Sequence, residues 1–200
     1  KEAPGFIHNP VRILTVGRLN WIKDYETAVS AFGILKKIGV RFTYDIAGEG
    51  PEMERIRFAV HQAGIEDDVR FHGKLSHEKT AAMMRSSDIY LQTSMQEGFC
   101  VSALEAQATG LLCVVSDADG LKENVVDDVT GFVAERRNPG KFAERLISVI
   151  GMEEAVRKEI AMNARTRLEK DFTYERQKKL FNEYFSDLNK ADLQMNNSHK

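Results

Sequence analysis

Short apolar segments alternate with helical patterns along most of this 200-residue chain, and this alternation most limits the folds that it can adopt. Repeated strand–helix units form a parallel sheet with right-handed crossovers and helices on both faces. The sequence therefore predicts an α/β fold, with a Rossmann-like, doubly wound parallel sheet of about six strands. The strands are predicted at residues 11–16, 42–47, 69–72, 89–93, 112–116 and 132–134.

Capping residues and glycines set the bounds of the predicted helices between these strands. Asp24 can cap a helix that runs to about residue 38, and Ser76 opens a helix that ends near residue 86. Pro51 lies near the start of a helix that Gly64 terminates. The remaining helices of this part are predicted at residues 99–108 and 120–126.

Both ends of the chain differ in composition from the central part. Residues 1–10 are polar and contain two prolines, so we interpret them as a linker. After Asn138 the pattern becomes helical and predicts extra C-terminal helices, the last of them carrying an aromatic stripe between Phe181 and Leu188. Residues 190–200 are polar and are predicted to form a disordered tail. One domain, residues 11–189, lies between these ends.

Composition and charge argue against several classes of function. The formal net charge is −2 without a dense basic run, which argues against a nucleic-acid partner. No apolar run approaches the length that spans a membrane, and residues 1–12 carry no signal-peptide pattern. Cys100 and Cys113 lie in apolar surroundings without metal-type spacing, so we expect buried free thiols and a reducing, cytoplasmic location.

Residues 94–110, with the sequence SMQEGFCVSALEAQATG, carry the pattern most typical of a binding site. An apolar strand leads into Glu97 and Gly98, and a helical pattern follows from Phe99. A strand, a glycine turn and a helix aim backbone N–H groups and a positive helix end at a ligand. Carboxylates at Glu97 and Glu105 repel phosphate but accept hydrogen bonds from hydroxyls, which favours a sugar or a ribose. The alternative for either glutamate is a solvated surface position without function.

The two glutamates are spaced as E-x7-E within S-x2-E-G-F-x5-E-A-x3-G, which resembles the donor-site signature of retaining glycosyltransferases with the GT-B fold. The first strand–helix loop, G-R-L-x3-K from Gly17 to Lys23, is similar to the phosphate-binding motif of that family. The resemblance implies that Arg18 and Lys23 stabilise charge on a leaving diphosphate, that Glu97 positions the sugar and that Glu105 binds the ribose. The predicted catalytic residues are thus Arg18, Lys23 and Glu97.

Further segments resemble the same family. Residues 48–51, G-E-G-P, match its G-x-G-P turn, and Met53 in place of a third glycine argues against an NAD fingerprint. Residues 69–73 resemble its V-x-F-x-G strand, whose loop offers backbone groups to the nucleobase. Asp24 and Asp119 replace family glycines, and the segment 119–123 is left outside the predicted site for this reason. The resemblance implies the following substrate-binding residues: Gly17, Gly73, Leu75, Gly98, Phe99, Cys100, Val101 and Glu105.

The resemblance covers nearly the whole chain but only half of a GT-B enzyme, whose N-terminal domain binds the acceptor. It implies a nucleotide-sugar-binding domain of an enzyme that transfers a hexose from a UDP- or GDP-sugar to an acceptor hydroxyl with retention. The implied partners are the nucleotide-sugar and the missing N-terminal domain, through which peripheral membrane contact is left open. No metal ion and no cofactor is implied, and the domain alone is expected to be inactive. Two alternatives remain: a GT-B-like sugar-nucleotide epimerase and a non-catalytic binding module.

Overall fold

The computed structural model describes residues 7–176, 178, 179 and 181. Within them, six parallel strands form one sheet in the order β3-β2-β1-β4-β5-β6. The strands are β1 (Val11–Val16), β2 (Phe42–Ala47), β3 (Val69–Gly73), β4 (Ile89–Gln92), β5 (Leu112–Ser116) and β6 (Phe132–Ala134). The predicted doubly wound α/β fold is confirmed, and each predicted strand agrees with the observed one to within one residue at either end.

Helices cover both faces of the sheet, which explains why the strands are apolar at successive positions. Ile13 belongs to the apolar core on one face and its neighbour Leu14 to the core on the other, and both are fully buried. The helices are α1 (Tyr25–Lys37), α2 (Met53–Ala63), α3 (His77–Ser86), α4 (Val101–Thr109), α5 (Asp119–Asn124), α6 (Pro139–Gly151) and α7 (Glu154–Asp171). Residues of α1, α2 and α6 enter the first core, and residues of α3, α4 and α5 enter the second.

The strand order places a crevice at the carboxyl ends of β1 and β4. Strand β1 pairs with β2 on one side and with β4 on the other, so the connections after β1 and β4 run in opposite directions. In open parallel sheets, ligands bind outside the carboxyl ends of the strands at such a switch point. The loops that follow β1 and β4 therefore meet at the expected binding edge.

Three details of these two loops differ from the sequence prediction. The predicted loop at residues 17–23 contains a short 3₁₀ helix, Trp21–Lys23. Asp24 has a left-handed backbone, with φ of 49°, and its carboxylate accepts a hydrogen bond from the Thr27 hydroxyl (2.7 Å) instead of capping α1. Helix α4 begins at Val101 and not at Phe99, because Cys100 before it also has a positive φ, of 50°.

The ends of the chain are only partly described. Ile7 packs against the first core and the His8 ring lies 2.7 Å from Asp88, so the last residues of the predicted linker contact the domain. Residues 1–6, the predicted tail and the last predicted helix beyond Phe181 lie outside the described residues. The chain divides into two compact units, Lys1–Arg165 and Thr166–Lys200, and all candidate site residues belong to the first. In the described part of the chain, no helix has the length and apolarity needed to cross a membrane.

Candidate functional site

Lys23 and Glu97 form an ion pair at the carboxyl edge of the sheet. Lys23 Nζ donates to Glu97 Oε1 at 2.5 Å, although the two residues lie 74 positions apart in sequence. Their side chains are only 16% and 11% exposed, respectively. Two of the predicted catalytic residues therefore contact each other directly, which the sequence pattern did not indicate.

The end of β4 holds the segment that carries Lys23 in place. The Thr93 hydroxyl donates to the carbonyl oxygens of Lys23 (3.0 Å) and Asp24 (2.9 Å). The backbone N–H of Met95 donates to the Ile22 carbonyl at 2.8 Å. Because backbone carbonyls accept all three hydrogen bonds, they fix the 3₁₀ helix against the end of β4 and orient the lysine toward Glu97.

A row of buried polar side chains on β4 and its loop positions Glu97. The Ser94 hydroxyl donates to Glu97 Oε1 (2.6 Å) and accepts from Gln92 Nε2 (2.7 Å). The Tyr90 hydroxyl in turn donates to Gln92 Oε1 at 2.8 Å. Tyr90, Gln92 and Ser94 are fully buried. Gln92 and Ser94 are not among the predicted site residues. Polar residues inside an otherwise apolar strand are the signal that identifies them, because buried polar groups require partners.

Gly17 lies directly beneath the Lys23 side chain. A methyl group at Gly17 would lie 3.4 Å from Lys23 Cε, so any larger side chain would displace the lysine. The Tyr25 hydroxyl donates to the Gly17 carbonyl at 3.3 Å. Burial raises the pKa of Tyr25, and the nearby Tyr44 and Glu97 raise it further, so the phenol stays protonated and remains a donor.

A cavity of about 640 Å³ lies beside this pair and is lined by Gly17, Arg18 and Leu75, all three predicted as site residues. The structure adds Lys74 and Thr80, which sequence analysis missed, to the same wall. The remaining lining residues are Val16, Ala47, Gly48, Glu49 and Gly50.

Glycines of the G-E-G-P turn allow the loop after β2 to approach the loop after β1. A methyl group at Gly48 would lie 1.8 Å from the Gly17 carbonyl oxygen, and one at Gly50 would lie 2.2 Å from that of Leu19. Gly73 has a φ of 64° and its carbonyl accepts from the Gly48 N–H at 2.8 Å. These glycines therefore shape the cavity by close backbone packing.

The start of α4 brings the other predicted binding residues to the same edge. Phe99 and Val101 are 38% and 59% exposed, whereas Cys100 is buried. Gly98 is exposed, and a methyl group built on it would meet no atom within 4 Å. Open space above Gly98 is what a ligand approaching the backbone at this position would require.

The segment at residues 119–123, which was left outside the predicted site, contacts it. A methyl group at Gly120 would lie 2.7 Å from the carbonyl oxygens of both Glu97 and Gly98. The amide of Asn124 donates to the carbonyls of Phe99 and, at 3.2 Å, Cys100. Helix α5 therefore supports the turn that carries Glu97.

Glu105 lies apart from the ion pair. It is the fifth residue of α4, hence about one turn inside the helix. Its Oε1 is 3.7 Å from His77 Nδ1, near the start of α3, and its side chain is 36% exposed. The two glutamates of E-x7-E thus occupy separate positions, as expected if they contact different parts of one ligand.

Among the described residues, no group of three or more histidines, cysteines, aspartates or glutamates is arranged to hold a metal ion. The charged groups at this edge are the cations Arg18, Lys23 and Lys74 and the carboxylates Glu49, Glu97 and Glu105, and the backbone before α4 lies beside them. Such a set suits an anion joined to hydroxyl-bearing groups.

Sequence comparison assigns the chain to a family. Residues 1–167 match the family described as Glycosyl transferases group 1. The amylovoran biosynthesis glycosyltransferase AmsK of Erwinia amylovora is 31% identical over 172 residues, which make up 83% of this chain and 42% of that protein. Glycogen synthase of Mycobacterium tuberculosis is 31% identical over 166 residues, 83% of this chain and 40% of that protein. This chain therefore spans less than half the length of these relatives.

Solved structures share the fold. HepE of Anabaena, in complex with UDP and glucose, superposes with a TM-score of 0.79 at 21% identity, over 88% of this chain and 48% of that chain. The C-terminal domain of LpcC, a glycosyl transferase group 1 family protein from Francisella tularensis, gives a TM-score of 0.73 at 24% identity, over 82% of this chain and 87% of that chain. At these identities the structures show a common fold alone. With the family match over most of its length, the chain belongs to the glycosyl transferases of group 1.

Proposed function

We propose that this chain is the nucleotide-sugar-binding domain of a retaining glycosyltransferase. The complete enzyme transfers a hexose from a UDP- or GDP-sugar to an acceptor hydroxyl, and a second domain supplies the acceptor site. The observation that carries the proposal is the Lys23–Glu97 pair at the switch point of the sheet, next to the cavity that Arg18 lines. The complex of the structurally similar HepE with UDP and glucose supports the choice of ligand class.

In this proposal the diphosphate lies against Arg18 and Lys23. Arg18 is exposed and makes no side-chain ion pair within the described residues, so its guanidinium is available to phosphate oxygens. Lys23 is already paired with Glu97, so the pair carries no net charge until a phosphate competes with the carboxylate for the ammonium group. Cations held in this way stabilise the charge that grows on the leaving diphosphate, without a metal ion.

The sugar and the ribose lie against the two glutamates. Glu97 is held by Ser94 and Lys23 through the same oxygen, Oε1, and its second oxygen can accept from a sugar hydroxyl. Glu105 is about one turn inside α4, on the side where α3 starts, and in this proposal its carboxylate accepts from the ribose. Proton NMR of the anomeric signal in the first product of the complete protein tests retention.

Arg18→Ala tests the phosphate contact. We expect it to weaken UDP or GDP binding by roughly 10- to 150-fold, since a hydrogen bond to a charged group contributes about 1.5–3 kcal/mol. Binding of uridine or guanosine should change little. Isothermal titration calorimetry of the 200-residue chain measures both. Lys37→Ala is the matched control, because Lys37 lies in the last turn of α1, at the end of the helix farther along the chain from Arg18. It should change neither diphosphate binding nor nucleoside binding. Equal losses for nucleoside and diphosphate would show that Arg18 does not contact phosphate.

Glu97→Gln and Glu105→Ala separate sugar from ribose. Glu105→Ala should weaken the binding of UDP and of UDP-glucose alike, because both ligands carry the ribose. Glu97→Gln keeps an oxygen for Lys23 and Ser94 but loses the charge, so it should weaken UDP-glucose relative to UDP. Each lost contact is worth about 1.5–3 kcal/mol, or less if water replaces it. Isothermal titration calorimetry measures these affinities, with GDP and a GDP-sugar titrated in parallel. Circular dichroism verifies that both variants fold. If neither variant changes binding, the two glutamates do not contact the nucleotide-sugar.

A further inference from the structure

A second cavity, of about 470 Å³, lies where α1, α2 and α6 begin. It shares no lining residue with the cavity beside Arg18. Its lining includes Trp21 and Asp24, which flank Lys23 in sequence, and Met95, which precedes Glu97 by two positions. The cavity therefore adjoins the ion pair, yet none of the predicted site residues lines it.

Trp21 is the most informative residue of this cavity. It is the sole tryptophan of the chain, and its side chain is 62% exposed. The 3₁₀ helix that carries it is fixed by the Met95–Ile22 backbone hydrogen bond and by the contacts of Thr93. An exposed large aromatic ring on a fixed backbone offers apolar area to a ligand at little entropic cost.

Charged and polar side chains surround the indole. Arg55 donates to both oxygens of Glu26 (2.6 and 3.2 Å) and to Glu52 (3.3 Å), which fixes two carboxylates on the wall. The Arg137 guanidinium lies against the Met95 sulfur at 2.9 and 2.8 Å. A thioether is a weak acceptor, so these N–H groups can still bond a hydroxyl. Asn20 and Ser30 complete the polar lining.

Two residues with unusual backbone conformations line the same cavity. Four non-glycine residues have a positive φ among the described residues, and two of them, Asp24 (49°) and Arg137 (58°), line this cavity. Non-glycine residues with such backbones are uncommon, and they cluster at functional sites.

We propose that this cavity is a saccharide-binding subsite, distinct from the nucleotide-sugar site and outside the proposed donor function. One face of a pyranose ring carries C–H groups, which pack on the exposed Trp21 indole, and its hydroxyls bond the carboxylates and the arginine around it. Three carboxylates, Asp24, Glu26 and Glu52, face two arginines, so the charges on the wall nearly balance, which favours a ligand that is rich in hydroxyls and not an anion. The proximity to Lys23 and Glu97 suits a saccharide that ends near the transferred sugar.

Fluorescence of the sole tryptophan reports on this cavity directly. The 200-residue chain is titrated with maltose, cellobiose and methyl α-mannoside, and with UDP. At least one saccharide should change the intensity or wavelength of Trp21 emission in a saturable way. No saturable change with any of the three saccharides overturns the proposal.

Variants localise the binding by ligand-detected NMR. Trp21→Ala should weaken binding of the responding saccharide by about tenfold or more. Trp21→Phe keeps an aromatic face, so its affinity for that saccharide should stay within about threefold of the parent's. Phe58→Ala is the matched control, because Phe58 is 60% exposed on α2 but does not line the cavity. Equal losses in Phe58→Ala and Trp21→Ala overturn the proposal.

Arg18→Ala separates this proposal from the donor function. It should lose UDP affinity and keep the saccharide response, because Arg18 does not line the Trp21 cavity. A chain that binds UDP without any saccharide response contradicts the subsite alone. A chain that responds to a saccharide without binding UDP or GDP contradicts the donor function alone.

Discussion

At the scale of single residues, the site depends on a charge pair that is nearly enclosed by protein. Lys23 and Glu97 have little exposed area, and each is the other's ion-pair partner. Bringing such groups out of water costs free energy that their attraction and hydrogen bonds must offset. The Ser94 hydroxyl supplies one of those hydrogen bonds, and Gln92 and Tyr90 fix the serine. Losing either charge alone leaves the other unneutralised in a low-dielectric site.

A double-mutant cycle tests this coupling. Lys23→Met should destabilise the fold by about 1–3 kcal/mol, because Glu97 is left without its partner. Adding Glu97→Gln should recover part of that loss, since the unpaired charge is then gone. Urea denaturation followed by circular dichroism gives the free energies of unfolding, with Lys37→Met on the exposed end of α1 as control. Strict additivity of the two substitutions would show that the pair is not coupled in solution.

At the scale of elements, loops from several strands hold one another at the carboxyl edge. Arg136, after β6, donates to Asp117 Oδ1 (2.9 Å) after β5 and to the Met95 carbonyl (3.0 Å) after β4. The Ser116 hydroxyl donates to the Ser94 carbonyl at 2.5 Å. Helix α5 then packs Gly120 against the turn of Glu97 and Gly98. The position of Glu97 is therefore set by three connections and not by its own loop alone.

Gly120→Ala tests the packing of α5 on this turn. The added methyl group would lie 2.7 Å from two backbone oxygens, which must move to admit it. We expect a loss of about 1–3 kcal/mol in the free energy of unfolding, together with weaker UDP-glucose binding. Gly151→Ala, at the end of α6, is the control, because its methyl group meets no atom within 4 Å and alanine favours helix. Unchanged stability and binding in Gly120→Ala would contradict the proposed support.

At the scale of the molecule, two apolar cores enclose the sheet, and both cysteines lie in the second. Cys100 and Cys113 are free and buried, as the sequence predicted. Burial raises the pKa of the Cys100 thiol, and the Glu97 carboxylate raises it further. Burial, with a smaller contribution from Cys100, also raises the pKa of Cys113. The reactive thiolate is therefore scarcer at neutral and mildly alkaline pH than in a free cysteine.

Thiol labelling measures how tightly this core is closed. A disulfide reagent at mildly alkaline pH should react slowly with the native chain, at a rate limited by opening of the structure. In urea, both cysteines of the chain should react at once. Because opening of the structure limits the native rate, and not the thiolate fraction, increasing the pH should speed the native reaction less than that of glutathione, the control thiol. Rapid labelling of one cysteine in the native chain would show that the start of α4 opens readily.

The sequence by itself determined the architecture and the edge at which the site lies. Apolar runs such as 11–16 and 112–116 encode strands buried on both faces, and glycines and caps encode where the chain turns. These signals are local, so they can be read from neighbouring residues. The same holds for the loops of Arg18 and Glu97, because the carboxyl ends of parallel strands must share one edge.

The tertiary structure alone decided which residues meet. The Lys23–Glu97 pair depends on β1 lying next to β4, and the contact of Gly120 with the Glu97 turn depends on how α5 packs. The Trp21 cavity likewise exists because α1, α2 and α6 begin side by side. No local pattern encodes such contacts, because they join segments that are tens of residues apart and are selected by the packing of the whole sheet.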